Sequence, residues 1–499
     1  MNNRWKPQGL LLIACVGASL GASAQNEEDA LRYSQSLPGG TARGWAMGSA
    51  MGAVGADPAA ATLNPAGFGL YNTSELSLTT GLEVNTADTW HYGTNASASD
   101  VRFHLNNVAL ILSFPSKQGG DLRGGTFGFS YDRQASYHWD EQAVGHGVNS
   151  TILQRFVNEA EGTAPSDLPN NFPFSSSLAW DAYGIDPLDT ISNSYVSAIP
   201  YGTSTVEQSH HIASSGRLSN TSFFYANNYK DKLYFGLSVG LIGARYERHT
   251  THTETSNDLS LAIRDLTYKE DLLTTGNGID VKVGVIGRVT NSLRVGLAYH
   301  SPMWMSMSDA YNYGLTTNFR NVPGTPPQDH YSIISPYGTF DYRVTTPWRL
   351  VASAMYQVGK HGLVSVDYCY TDFTSQRLKA ADGTSDTYDF SMENNVISNN
   401  FVSTNSFRAG TEWRSGNWYF RGGWGIWPDA YSEKDRRHGT SYKRYTGGIG
   451  YRVAHMSIDF AMVYGTRDIN YYQYDADLIE ATNEKQTDVR GMLTVAFRP

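Results

Sequence analysis

The sequence predicts an all-β fold: a transmembrane antiparallel β-barrel of about fourteen strands, with an N-terminal plug segment in its lumen. Three observations predict it. Apolar residues recur with period two, in segments near or above the roughly 9–11 residues that a tilted membrane strand needs. The connections between those segments alternate between short and long. The chain also opens on a stretch built like a secretory leader.

The leader comes first. Arg4 and Lys6 give a basic start, Leu10-Leu11-Leu12-Ile13-Ala14 opens an apolar core, and Ala22-Ser23-Ala24 offers a small-x-small cleavage pattern. A signal peptide over 1–24, cleaved near Ala24, is the expectation. The apolar core is shorter than the roughly 20 residues of a spanning helix. A second reading takes Leu12-Ile13-Ala14-Cys15 as a lipoprotein cleavage box, with a short apolar core before it. Cleavage at Ala24 leaves Cys369 as the only thiol, which excludes a disulfide and any zinc site built on paired cysteines.

Composition narrows the class. The 38 basic and 47 acidic residues leave a net charge of −9, without the basic face that nucleic acid requires. A mean hydropathy of −0.39 is too polar for a bundle of membrane helices. A barrel escapes that limit, because lipid-facing apolar and lumen-facing polar residues alternate and average out. The 32 Tyr, 11 Trp and 20 Phe fit as well, since aromatics favour the two membrane interfaces.

Residues 25–72 form the plug. The stretch is rich in Gly and Ala and closes with Asp57-Pro58 and Asn64-Pro65-Ala66-Gly67, a poor strand and at best a short, tightly packed helix. The barrel occupies 73–499. Leu76, Leu78 and Leu82 share one face, as do Val108, Leu110, Leu112 and Phe114. Further segments follow at 126–133, 219–228, 232–248, 278–289, 292–300, 337–359, 362–373, 402–414, 417–427, 442–453, 456–466 and 487–498. The short connections are 116–123, 229–231, 290–291, 360–361, 415–416 and 454–455. The long ones are 84–106, 134–218, 249–277, 301–336, 374–401, 428–441 and 467–486. Short periplasmic turns and long outer loops are the asymmetry of an outer-membrane barrel. Val489, Gly491, Leu493, Val495 and Phe497 share the lipid face of the last strand, which must pair with the first because an open edge cannot face hydrocarbon.

Gly52-Ala53-Val54-Gly55-Ala56-Asp57, followed by Asn64-Pro65-Ala66-Gly67 and the first strand, resembles the FadL/TodX family of outer-membrane hydrophobic-compound transporters, and more particularly its Bacteroidetes-type branch. The resemblance covers essentially the whole mature chain, including Thr346-Pro347-Trp348-Arg349 on a central strand. It implies passive uptake of long-chain fatty acids or other apolar molecules. The ligand would be bound among the outer loops, passed to a site against the plug, and released sideways where the third strand kinks. On this chain the plug motif falls on Asn64, Pro65, Ala66 and Gly67. Gly124, Gly125 and Gly128 could permit the kink, since glycine tolerates bulges, or could simply let neighbours pack.

Residues 134–218 are too long for a plain connection. Within them Phe172, Phe174 and Trp180, with Met303, Trp304 and Met305 in a later outer loop, could form an apolar groove for a greasy ligand, or could merely cap the barrel. Arg43, or the lumen-facing Arg245 or Arg349, could hold a carboxylate; the sequence does not choose. His210-His211 and His249-Thr250-Thr251-His252 are the close histidine groupings, but neighbours on an extended chain point opposite ways, so no metal or other cofactor is assigned. Asp475-Ala476-Asp477 could bind calcium weakly, though an acidic loop tip is the commoner meaning. Ser130 and His138 lie near each other in sequence without a hydrolase motif around them, and no enzymatic activity is expected. The expected partners are a hydrophobic small molecule, outer-membrane lipid and the barrel-assembly machinery, with no nucleic acid. Rival readings are a scaffold or secretion-associated barrel, and a haem receptor.

Overall fold

Alternation along each strand decides which surface a closed sheet turns to lipid. A computed structural model describes residues 27–499 apart from 36, 117–119, 190–192, 324 and 384–387. The expected leader, its cleavage near Ala24 and the rival lipoprotein box lie outside the described residues. Among those described, fourteen antiparallel strands close into a barrel. They are β1 (Glu75–His91), β2 (Thr94–Pro115), β3 (Leu122–Ser136 and Trp139–Val148), β4 (Val206–Tyr229) and β5 (Leu233–Ser256). Next come β6 (Ile263–Arg288), β7 (Leu293–His300 and Trp304–Phe319), β8 (Gly338–Thr345 and Arg349–Val358) and β9 (Gly362–Asp372 and Arg377–Ala380). The last five are β10 (Ser403–Ser415), β11 (Trp418–Trp427), β12 (Tyr442–Val453), β13 (Met456–Tyr471) and β14 (Thr482–Phe497).

Closure runs along β1 and β14, from Leu76 opposite Phe497 to Trp90 opposite Asn483. No strand edge is left open along this seam, as hydrocarbon requires. Leu76, Leu78 and Leu82 of β1 and Leu493, Val495 and Phe497 of β14 are exposed on the outside, while Met492, Thr494 and Ala496 are buried within. The outer surface therefore carries an apolar belt. Aromatics border it: Trp413, Trp418 and Tyr451 near the short turns, and the Tyr299–Trp348–Tyr370 row further out. No helix among the described residues is long and apolar enough to cross a membrane.

Several expected loops are strands. The stretch 84–106 is the outer half of the β1–β2 hairpin, most of 249–277 continues β5 and β6, and 304–319 extends β7. Above the belt, both faces of these strands meet water or protein, so the apolar alternation fades while the backbone ladder runs on. The stretch 134–218 likewise holds the outer length of β3, the start of β4 and a small helical cap between them.

Inside the barrel lies the N-terminal segment. It starts with α1 (Glu27–Ser34), continues through α2 (Ala42–Ala46), and ends in two tight 3-10 turns, Pro58–Ala61 and Pro65–Leu70. In the cap, α3 (Ile152–Ala160) turns Ile152, Leu153, Phe156, Val157 and Ala160 inward against the outer parts of β6 and β7.

Candidate functional site: the plugged lumen

The floor of the lumen is set by small residues and by polar wall groups that hydrogen-bond the plug backbone. Asp57 caps the first 3-10 turn by accepting from the Ala59 amide at 3.0 Å and from the Thr41 hydroxyl at 2.9 Å. Arg43 makes a two-pronged pair with Glu412 of β10, at 2.8 and 3.0 Å. Glu412 also accepts from Arg421 of β11 at 2.6 Å, and Arg421 reaches Asp459 of β13 at 2.7 Å. Elsewhere the Ser365 hydroxyl donates to the Ala50 carbonyl (2.6 Å), the Gly52 amide to Asp367 (3.1 Å) and the Ala42 amide to Thr494 (2.7 Å). Arg43 is thus part of the plug-to-wall junction and not a free carboxylate receptor.

Asn64-Pro65-Ala66-Gly67 closes the floor on the β5–β7 side. The Asn64 amide oxygen accepts from the Ala66 amide at 3.1 Å, which starts the turn, and Pro65 occupies the first position, where no amide is needed. Asn64 Nδ2 donates to Gly52 in the plug (3.0 Å) and to the Val285 carbonyl of β6 (3.2 Å). A Cβ on Gly284 would collide with the Asn64 amide oxygen, so β6 needs glycine there. Gly67 sits against Gly55 and Ala60 within the plug.

Above this floor is a cavity of about 980 Å³, near the top of the usual range for small-molecule sites. Leu31, Arg32 and Ser34 of α1 line it, with Tyr137, Met303 and Arg349 from the wall. Ten Lys or Arg against seven Asp or Glu line it among the described residues. The lumen is therefore cationic inside an acidic protein, which favours an anionic group in its occupant. Arg349 follows the break in β8 at Thr346-Pro347-Trp348, which is held by the Met303 amide donating to the Thr346 hydroxyl (2.8 Å) and the Thr346 amide to the Met303 carbonyl (3.1 Å). The Arg349 guanidinium reaches the Ser34 carbonyl, at the C-terminal end of α1. Arg245 departs from the lumen-facing expectation. It is exposed on the outside and pairs with Glu247 at 3.2 Å, because it shares the face of Leu237 and Leu241.

One wall of the cavity is interrupted. The β2–β3 ladder runs from Pro115 opposite Gly124 to Asn107 opposite Asp132 and stops there. Beyond it β3 breaks at Tyr137-His138, and its outer length slides behind β1. The His138 carbonyl accepts from Asn85, and the Gln142 carbonyl from Thr89, each at 2.5 Å. Residues 94–105 of β2 then pair with β1 alone among the described residues, and Phe103 on that stretch is 73% exposed. Gln134, Tyr137 and Trp139, at the break, line the cavity. The break does not fall on the expected glycines. Gly124 (φ +143°) and Gly125 lie at a register shift near the periplasmic turn, and Gly128 lies inside the continuous ladder. The partner strand carries an irregularity at the same level. Gly216 of β4 has φ +131°, and a Cβ there would collide with the Arg245 carbonyl oxygen. Its own carbonyl accepts from the Tyr137 amide at 3.3 Å.

The expected groove residues divide into three places. Phe172, Phe174 and Trp180 pack in the cap, with Phe174 against the rings of Tyr311 and Tyr313 at 5.0 and 5.8 Å. Met303 and Met305 are buried beside α1 in the lumen. Trp304 points out to lipid, 48% exposed, as period two dictates between two inward methionines. Alternation also separates His210, buried, from His211, which pairs with Asp140 at 2.8 Å. Register brings His210 opposite His252, with their Nδ1 atoms 3.2 Å apart and His252 Nε2 2.9 Å from Glu254. Glu254 also accepts from the Ile152 amide at 2.8 Å, which ties α3 to this pair. No group of three or more His, Cys, Asp or Glu converges on a metal position among the described residues. The Ser130 hydroxyl donates to Asp132 at 2.7 Å and accepts from Asn107 at 2.9 Å.

Sequence reasoning missed α1 and its tethers. The acidic opening Glu27-Glu28-Asp29 followed by Ala30, Leu31 and Ser34 is a helix-start signal. The tethers, in contrast, join positions more than 300 residues apart.

No protein-family model matches the sequence, and no curated protein sequence matches it. Solved structures do match. A Pseudomonas aeruginosa FadL homologue superposes with a TM-score of 0.55 at 12% identity, covering 93% of this chain and 99% of that one. The Pseudomonas putida toluene transporter TodX gives 0.52 at 12%, covering 92% and 98%. The Ralstonia pickettii toluene transporter TbuX gives 0.51 at 16%, covering 93% and 99%. With the closed barrel, the internal N-terminal segment and the broken third strand in view, this chain has the FadL/TodX-type fold over nearly its whole described length.

Proposed function

We propose that this protein is an outer-membrane channel for passive uptake of hydrophobic small molecules, with long-chain fatty acids as the favoured class. One observation carries the reading: the cavity is closed below by the plug and is bordered by the interruption of β3. In this reading the plug blocks the downward way and a ligand leaves sideways, past residues 94–105 of β2. The cationic lining favours an acid over a hydrocarbon. Of the three arginines left open by the sequence, Arg349 alone lines the cavity. Burial of the acyl chain supplies the affinity, about 0.8 kcal/mol per CH₂, and Arg349 holds the carboxylate. With no nucleotide-binding motif in the sequence, direction comes from consumption of the ligand downstream. Insertion would follow leader cleavage and use the barrel-assembly machinery, with outer-membrane lipid around the belt.

The test is binding and vesicle uptake of oleate and oleyl alcohol by the full-length barrel. Arg349→Gln should weaken oleate binding about tenfold, in line with a lost charge-assisted hydrogen bond, and leave oleyl alcohol unchanged. Wild-type protein that binds neither compound would overturn the reading.

A further inference from the structure

The outward face of the wall carries a cationic patch just above the apolar belt. On β5, Leu233, Phe235, Leu237 and Leu241 face lipid, and Phe223 and Tyr225 of β4 and Ile279 of β6 are exposed beside them. The run from Leu233 to Leu241 matches the roughly 9–11 residues that cross the hydrocarbon. The next outward position is Gly243, opposite Ser219, whose hydroxyl donates to the Gly243 carbonyl at 3.2 Å. One outward position further comes Arg245, directly opposite Arg217 of β4. Both arginines therefore stand where the hydrocarbon ends and head groups begin, on the side of the long outer connections.

Two like charges directly opposite on one sheet face repel, because their backbones are only about 4.5–5.5 Å apart. Their neighbours cancel only part of that charge. Glu247 pairs with Arg245 at 3.2 Å but also stands 3.5 Å from His249. Arg217 is exposed and has no ion pair among the described residues. Arg133 of β3 adds a third cation nearby, donating through Nη2 to the Gly216 carbonyl at 3.3 Å, one residue before Arg217. Gly243 puts no side chain between Arg245 and the Leu241 row, so a group rising from the lipid meets the guanidinium unobstructed.

We propose that Arg217 and Arg245 form a clamp for one phosphate of an outer-leaflet lipid. The phosphate accepts from both guanidinium groups, a geometry that arginine suits because its planar fork matches phosphate oxygens. It relieves the repulsion between the two, while the acyl chains of the same lipid lie along Leu241, Leu237 and Phe223. The partner is a lipid and not a soluble anion because the patch continues directly into the apolar belt. The site is on the outside of the wall, and neither arginine borders the cavity. It stands whether or not the uptake reading holds.

The experiment is native mass spectrometry of the full-length barrel, delipidated in detergent and titrated with bisphosphorylated lipid A, fully dephosphorylated lipid A and inorganic phosphate. Wild-type protein should bind the phosphorylated lipid at least about tenfold more tightly than the dephosphorylated one, the scale of a charge-assisted hydrogen bond. Arg217→Gln and Arg245→Gln should each remove about tenfold of that affinity and leave the dephosphorylated lipid unaffected. Lys232→Gln, an exposed cation beside the short β4–β5 turn at the opposite border, should change neither. Heat-modifiable migration verifies that each variant is folded. The clamp is overturned if the Arg217→Gln/Arg245→Gln double variant binds the phosphorylated lipid as wild type does, or if removing the phosphates does not weaken binding. Inorganic phosphate bound as tightly as the lipid would overturn the lipid assignment and make the patch a soluble-anion site.

Discussion

Glu412 shows how far single residues decide the plug. It takes hydrogen bonds from both Arg43 of the plug and Arg421 of the wall, and it is largely buried. Glu412→Ala would remove the two-pronged partner of Arg43 and leave Arg421 to Asp459 alone, a change that costs about 3–5 kcal/mol in comparable buried pairs. Urea unfolding in lipid vesicles should register that loss; a change below about 1 kcal/mol would mean that Arg43 finds another partner. Asp435 carries a pH signature. Burial pushes its carboxyl up, but the hydrogen bonds from Arg437 more than offset this and hold it below the ordinary aspartate value. Its contribution is therefore present above the unfolded pKa of about 3.9 and is lost as pH falls through the lower folded value. Arg437, which Asp435 aligns, donates to Glu27 and Glu28 of α1 at 2.7 and 3.0 Å, so intrinsic-rate-corrected exchange of 27–34 should stay flat from pH 8 to about 5 and rise only in stronger acid; a rise near neutrality would assign the Arg437–α1 contact to another group. Among individual residues, Asn64 and Pro65 were singled out through the resemblance, and the cap and turn they form are local. That Arg349 lines the cavity while Arg43 and Arg245 do not was hidden, because it depends on which face of β5 is outward and on what Glu412 already binds.

Strands were legible where one face meets lipid. The alternation of Leu76, Leu78 and Leu82, or of Leu493, Val495 and Phe497, is imposed by hydrocarbon on one side and the polar lumen on the other. The outer continuations of β1, β2, β5, β6 and β7 were read as loops because that contrast disappears above the belt. The break in β3 was hidden for a different reason. The positive-φ glycine beside it, Gly216, lies in the neighbouring strand and bonds the Tyr137 amide, whereas the glycines of β3 itself serve the turn and the ladder. Gly216→Val should therefore disturb the break without unfolding the barrel. The expected result is heat-modifiable protein with oleate uptake into vesicles reduced several-fold; uptake at the wild-type rate would detach the break from transport.

At the scale of the whole molecule, a closed belt, a hydrogen-bonded floor and a cationic chamber act together. The floor makes the barrel a poor pore for water and ions, since the plug is bonded to β6, β9, β10 and β14. Planar-bilayer recordings of intact protein should show little steady conductance, and a variant lacking 27–72 should show open-pore currents; large steady currents from the intact chain would contradict the closed floor. The chamber above should hold an amphiphile with its acid end on a wall cation and its chain toward the β3 break. The most direct measurement is a high-resolution structure of the full-length barrel prepared with oleate. Acyl density in the 980 Å³ cavity, with its carboxylate on Arg349, is the expected result. A cavity filled only with ordered water, with oleate absent from the lumen and from the gap beside β2, would contradict the account.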